Sequence, residues 1–215
     1  MVIPNVAASV GSELVAYGLL AVYIHSGRLR YGLLTTFLFL VGSLYWTLVL
    51  ENFGVLMSFF SYTGVSPGSS PLYLVWVGLT PLWVPVGWFD VTFPTYMLIG
   101  EAVPKAGMWA KAAAGGLVAT SLDLVIDPGA TASGLWRWTH PSIYFLGVPI
   151  TNYVAWFLLV VLYIAAFESV AKGKAFASAR QTAFRLIKRL AIFQAVFVAV
   201  YVPILYAVAK IAALV

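Results

Sequence analysis

Six long apolar runs, at residues 7–25, 31–51, 72–98, 108–127, 149–169 and 186–214, alternate with shorter polar connections along the chain. A helix needs about 20 apolar residues to cross the hydrocarbon core of a bilayer, and each run has close to that length or more. The pattern predicts an all-α fold, a polytopic transmembrane helix bundle of about six spans, forming a single integral membrane domain over residues 1–215. The third run exceeds what a bilayer requires and carries Pro81, Pro85 and Pro94, so this span is expected to be kinked or broken. Pro203 is expected to bend the sixth run, and Pro128 to end the fourth helix near Asp127.

Composition makes the membrane assignment firm. Charged residues are 9% of the chain and hydrophobic ones 62%, whereas about a quarter of a soluble domain is charged. There is no cysteine, which excludes disulfides, thiolate metal sites and cysteine nucleophiles. No basic segment precedes the first run, which also holds Glu13, so a cleaved signal peptide is not expected.

The net charge of +5 is explained by its distribution. Arg28, Arg30, Lys105, Lys111, Lys172, Lys174, Arg180, Arg185, Lys188 and Arg189 fall on one side of the predicted topology, and only Arg137 and Lys210 on the other. This positive-inside bias makes the basic loops 26–30, 101–111 and 170–189 cytoplasmic and puts both termini outside, in a plasma membrane. The segment 172–189 reads as an anchor at anionic headgroups, not as a nucleic-acid site. The expected partners are the lipid bilayer and a molecule dissolved in it; the oligomeric state stays open.

All seven acidic residues, Glu13, Glu51, Asp90, Glu101, Asp123, Asp127 and Glu168, lie within or at the ends of the apolar runs. A carboxylate in hydrocarbon costs about 2.5–3.5 kcal/mol on insertion scales, so these acids are the first candidates for chemistry. Under the predicted topology Glu51, Asp123 and Asp127 share the outer side. Asp123 and Asp127 are four residues apart and share a helix face. Neighbouring carboxyls in a low-dielectric setting are an arrangement that divides acid and base roles. The outer loop that follows holds Trp136, Arg137, Trp138, His140, Tyr144 and Phe145, and Asn152 begins the next span on the same side. These aromatics read either as interfacial anchors or as the lining of a pocket for an elongated apolar ligand, where their faces would stabilise a developing cation. Arg137 is expected to pair with one of the acids. Glu101 and Glu168 are expected to pair with Lys105 and Lys172. Two histidines, His25 and His140, on opposite faces do not make a histidine-rich metal site, and no phosphate loop or serine-centred elbow is present.

One ordered series of motifs is distinctive. Ser121-Leu122-Asp123-Leu124-Val125-Ile126-Asp127-Pro128 is followed by Gly134-Leu135-Trp136-Arg137-Trp138. Then comes Tyr144-Phe145-Leu146-Gly147-Val148-Pro149-Ile150-Thr151-Asn152-Tyr153-Val154-Ala155-Trp156. With the earlier Glu51-Asn52-Phe53-Gly54-Val55 and Tyr62, this series resembles the carotenoid biosynthesis family of membrane hydratases over about a third of the chain. Two departures stand out: Ala155 occupies a position where a glycine is expected, and the chain is shorter than typical members by about one span.

The resemblance implies addition of water to the terminal C=C of an acyclic carotenoid, with no metal and no redox cofactor. It casts Asp123 and Asp127 as proton donor and water-activating base in either order, and Glu51 as a third carboxyl. Trp136, Trp138, Tyr144, Asn152, Arg137, Trp156 and Tyr62 would surround the substrate. An isoprenoid cyclase using the same protonation, a lipid- or pigment-binding subunit and a proton-conducting bundle are the alternatives.

Overall fold

The computed structural model describes residues 6–63, 73, 75–171 and 178–214. Among the described residues six helices carry the fold: α1 (Val6–Tyr31), α2 (Leu33–Leu56), α3 (Trp83–Ala102), α4 (Met108–Ala132), α5 (Ile150–Ala171) and α6 (Ala179–Ala212). All but α3 are long and apolar enough to span a membrane. The short strands β1 (Phe60–Tyr62), β2 (Trp76–Val77), β3 (Thr80–Pro81), β4 (Trp136–Trp138), β5 (Tyr144–Phe145) and β6 (Val148–Pro149) pair into three antiparallel ribbons.

The proline-rich third run is broken, as its prolines require. Residues 76–81 form the β2–β3 hairpin and the helix begins only at Trp83, continuing through Pro94. Asp90, Thr92 and Thr95 are all buried in α3. At Pro128 the outcome differs from expectation: α4 runs through it to Ala132. The turn beyond Pro128 is held by its own exit, where the amides of Ser133, Gly134 and Leu135 donate to the carbonyls of Gly129, Thr131 and Ala130. Helix α6 likewise continues through Pro203.

α5 is apolar all round, and accordingly it is the enclosed helix of the bundle. Thr151, Ala155, Trp156, Leu159, Val160, Tyr163 and Ile164 are all buried. α4 lies against it through the small residues Ala112, Gly115, Gly116 and Ala119. Without a hydrophobic drive between helices in lipid, such small residues let backbones pack closely. A Cβ at Gly116 would stand 2.7 Å from Val161 Cγ2 and 3.0 Å from the Phe157 carbonyl oxygen. The Gly116→Leu protein is therefore expected to lose about 1–3 kcal/mol through overpacking, read as earlier unfolding in a detergent titration.

Aromatic rings and buried hydrogen bonds complete the packing. Phe39 of α2 sits among Phe89, Phe93, Tyr163 and Phe167, with ring centroids 4.7–6.1 Å away. Gln194 of α6 donates to the Trp46 carbonyl at 2.9 Å and Tyr201 to the Thr151 carbonyl at 2.7 Å, tying α6 to α2 and α5. α1 buries only a narrow stripe, Ser9, Glu13, Ala16 and Gly27, and presents Leu14, Val15, Val22 and Leu29 outward.

At the end away from the ribbons Arg30 forms an ion pair with Glu101, so Glu101 is held by the α1–α2 turn in place of Lys105. Glu168 accepts from Tyr96 at 2.8 Å; its expected partner Lys172, and Lys174, lie outside the described residues. The opposite end gathers the ribbons, the last turns of α2 and α4 and the first turns of α3 and α5.

Candidate active site

The ribbon end encloses a pocket of about 460 Å³. Two carboxyl stations open onto it, each built by a different part of the chain.

The first station belongs to α4 and α5. Asp123 and Asp127 continue the stripe of small residues that α4 turns toward α5, and both are buried. Asn152, in the first turn of α5, donates through Nδ2 to Asp123 Oδ2 at 3.1 Å and to Asp127 Oδ2. One amide thus holds both carboxyls, and the two acids also interact directly. Asp127 lines the pocket while Asp123 stands behind it. The continuation of α4 through Pro128 makes this possible, because it keeps the two acids one turn apart on a single face.

The second station is Glu51, in the last turns of α2. Tyr62 donates to its Oε2 at 2.5 Å and the Trp88 indole to its Oε1 at 3.0 Å. Burial, and next the Glu51 carboxylate beside it, push the Tyr62 phenol well above its ordinary range, so it remains a donor at any physiological pH. Trp88 also stacks on Trp156 with centroids 3.9 Å apart and planes 10° from parallel. That indole pair connects the stations, since Trp156 reaches Asp127 as well.

The β1–β4 ribbon supplies one wall. Its register pairs Phe60 with Trp138, Ser61 with Arg137 and Tyr62 with Trp136. Side chains alternate across a strand, so Phe60, Tyr62, Trp136 and Trp138 line the pocket while Arg137 points the other way. Arg137 is exposed, and its Nε donates to Ser61 Oγ at 3.1 Å. The expected pairing of Arg137 with an acid is therefore not what the structure shows. Tyr144 also stands outside the pocket, exposed on the β5–β6 hairpin, where its hydroxyl donates to the His140 carbonyl at 3.2 Å. Leu146 and Gly147 turn that hairpin with positive φ, the conformation that tight two-residue hairpin loops require.

Of the residues singled out in the sequence, the pocket brings together Glu51, Tyr62, Asp127, Trp136, Trp138, Asn152 and Trp156, with Asp123 behind them. Sequence reasoning missed Trp88, which touches both Glu51 and Trp156. The available signal was an indole two residues before the intramembrane Asp90. It also missed the task of Asn52, whose side chain accepts from Leu79 N and donates to the Val77 carbonyl, clasping the β2–β3 hairpin, while His140 of the outer loop does line the pocket.

Comparison with known proteins settles the family. A family model described as "Carotenoid biosynthesis protein" matches residues 3–215. The chain belongs to this family. One curated relative, the bisanhydrobacterioruberin hydratase of Haloarcula japonica, is 31% identical over 94 residues, which are 43% of this chain. The match spans 31% of that relative's length. No solved structure matches. Family membership gives the pocket a context: an apolar, aromatic chamber at one end of a membrane bundle, in a family that makes polyene isoprenoids.

Proposed function

We propose that the chain is a hydratase that adds water to the terminal isopropylidene C=C of an acyclic carotenoid dissolved in the bilayer. The observation that carries this reading is the placement of two distinct carboxyl stations, Asp127 and Glu51, on one aromatic pocket.

The hydrogen bonds divide the roles. Glu51 and Asp127 both accept from an indole, which can only donate, but of the two Asp127 is the one paired with a second carboxyl, so Glu51 serves as the base. The Asp123–Asp127 pair, joined by Asn152, holds a proton between its carboxyls and serves as the acid. Asp127 gives its proton to the less substituted alkene carbon, and the π electrons form the new C–H bond. The resulting tertiary cation lies beside the indole faces of Trp88, Trp156 and Trp136. Water attacks the cationic carbon and loses a proton to Glu51, leaving a tertiary alcohol. Transfer of that proton back to the aspartate pair restores the site. The distribution of the basic loops supports a pocket at the outer membrane–water boundary, where alkene and water meet.

The test is expression in a host that accumulates acyclic carotenoids, followed by mass spectrometry of the pigments. Pigment heavier by one or two waters supports the reading, an isomeric product points to cyclisation, and unchanged pigment points to a binding protein. Tyr62→Phe removes one of two donors on Glu51 and is expected to slow hydration about tenfold, measured as initial rate at matched expression.

A further inference from the structure

The pocket has a second polar point that the proposed reaction does not use. Asp90 of α3 is 7% exposed, lines the pocket, and both of its carboxyl oxygens are buried with no hydrogen-bond partner among the described residues. Buried polar groups are nearly always hydrogen-bonded, so a carboxyl held in this way is built to meet a donor. Tyr23 of α1 is the titratable group that interacts with it.

The surroundings identify the class of donor. This arm of the pocket runs between α1 and α3, bounded by Ser12, Val15, Ala16, Leu19, Gly87 and Val91. Val15 is 61% and Leu19 37% exposed, so the arm borders the lipid-facing surface of α1. A Cβ at Gly87 would meet nothing within 4 Å, which leaves the wall beside Asp90 open. A bare hydrocarbon entering here would leave the carboxyl unpaired, whereas an isoprenoid carrying a hydroxyl would satisfy it.

We propose that Asp90 is a specificity-determining residue that binds a hydroxyl on the isoprenoid. The proposal rests on the pocket being an isoprenoid site, and deepens that reading by adding a polar substituent to the substrate.

The test uses the full chain in lipid nanodiscs and two sesquiterpenes of matched length, β-farnesene and nerolidol, the second bearing a tertiary hydroxyl. Binding is read from intrinsic tryptophan fluorescence, and partition into lipid cancels when wild type and variants are compared. Wild type is expected to favour nerolidol about tenfold more than the Asp90→Leu protein does, with β-farnesene affinity retained in the variant. Asp90→Asn, which keeps hydrogen-bonding capacity, is expected to preserve part of the preference. An unchanged ratio in Asp90→Leu, equal loss of both ligands, or no saturable response to either probe overturns the proposal. A preserved nerolidol preference in a chain that adds no water to pigment removes the hydratase reading and leaves this one standing.

Discussion

Replacing Asp127 with asparagine is expected to lower water addition by roughly a hundred- to ten-thousand-fold, the range that a positioned proton donor contributes. Asp127 is the member of the aspartate pair that faces the pocket, and it is held there by Asn152 and beside Trp156. Asparagine matches its shape and can keep a contact with Asn152, but it has no acidic proton to give. The same change at Asp123 is expected to cost much less, about tenfold, because that residue acts behind Asp127. Pigment extracts from matched cultures check both, with the ratio of hydrated to starting pigment as the readout. Equal losses in the two variants would mean that the acids act as an inseparable unit. Full activity in Asp127→Asn would move the proton donor to Glu51.

Much of this arrangement is legible in the sequence because the membrane restricts what a chain can do. Apolar run length gives the helices, and the expense of intramembrane charge marks Glu51, Asp123 and Asp127 by their positions in those runs alone. Four-residue spacing puts the aspartates on one face, and the start of the next apolar run puts Asn152 at their level. What escaped was set by the short ribbons. Whether Arg137 or its neighbours face the acids depends on strand register, which a three-residue strand does not announce. The structure turns Trp136 and Trp138 inward and Arg137 outward for that reason. Pro128 misled in the other direction. The local preference against helix before a proline is overridden by packing against α5 and by the hydrogen bonds of the following turn. The Glu51-Asn52-Phe53-Gly54 block acquires separate physical tasks: Glu51 faces the pocket, Asn52 clasps the β2–β3 hairpin, and Gly54 admits the Phe60 ring.

Trp88 makes the second large expectation, because a single side chain serves both packing and chemistry. Truncation to alanine removes the stack on Trp156 and the donor on Glu51, and is expected to cost about 3–5 kcal/mol, as large aromatic-to-alanine changes do in packed interiors. Trp88→Phe separates the two tasks. A phenyl ring keeps most of the aromatic contact with Trp156 and has no N–H for Glu51. Stability in a detergent titration is therefore expected to fall by about 1–2 kcal/mol, the order of one lost buried hydrogen bond together with reduced ring area. Hydration is expected to fall further than in Tyr62→Phe, because the indole holds Glu51 and also presents a π-face to the cation. If Trp88→Phe loses stability but retains the wild-type rate of hydration, the indole is packing alone and Glu51 is held well enough by Tyr62. If the rate falls while stability holds, the orientation of Glu51 is what the indole supplies, and the base assignment to Glu51 gains its most direct support.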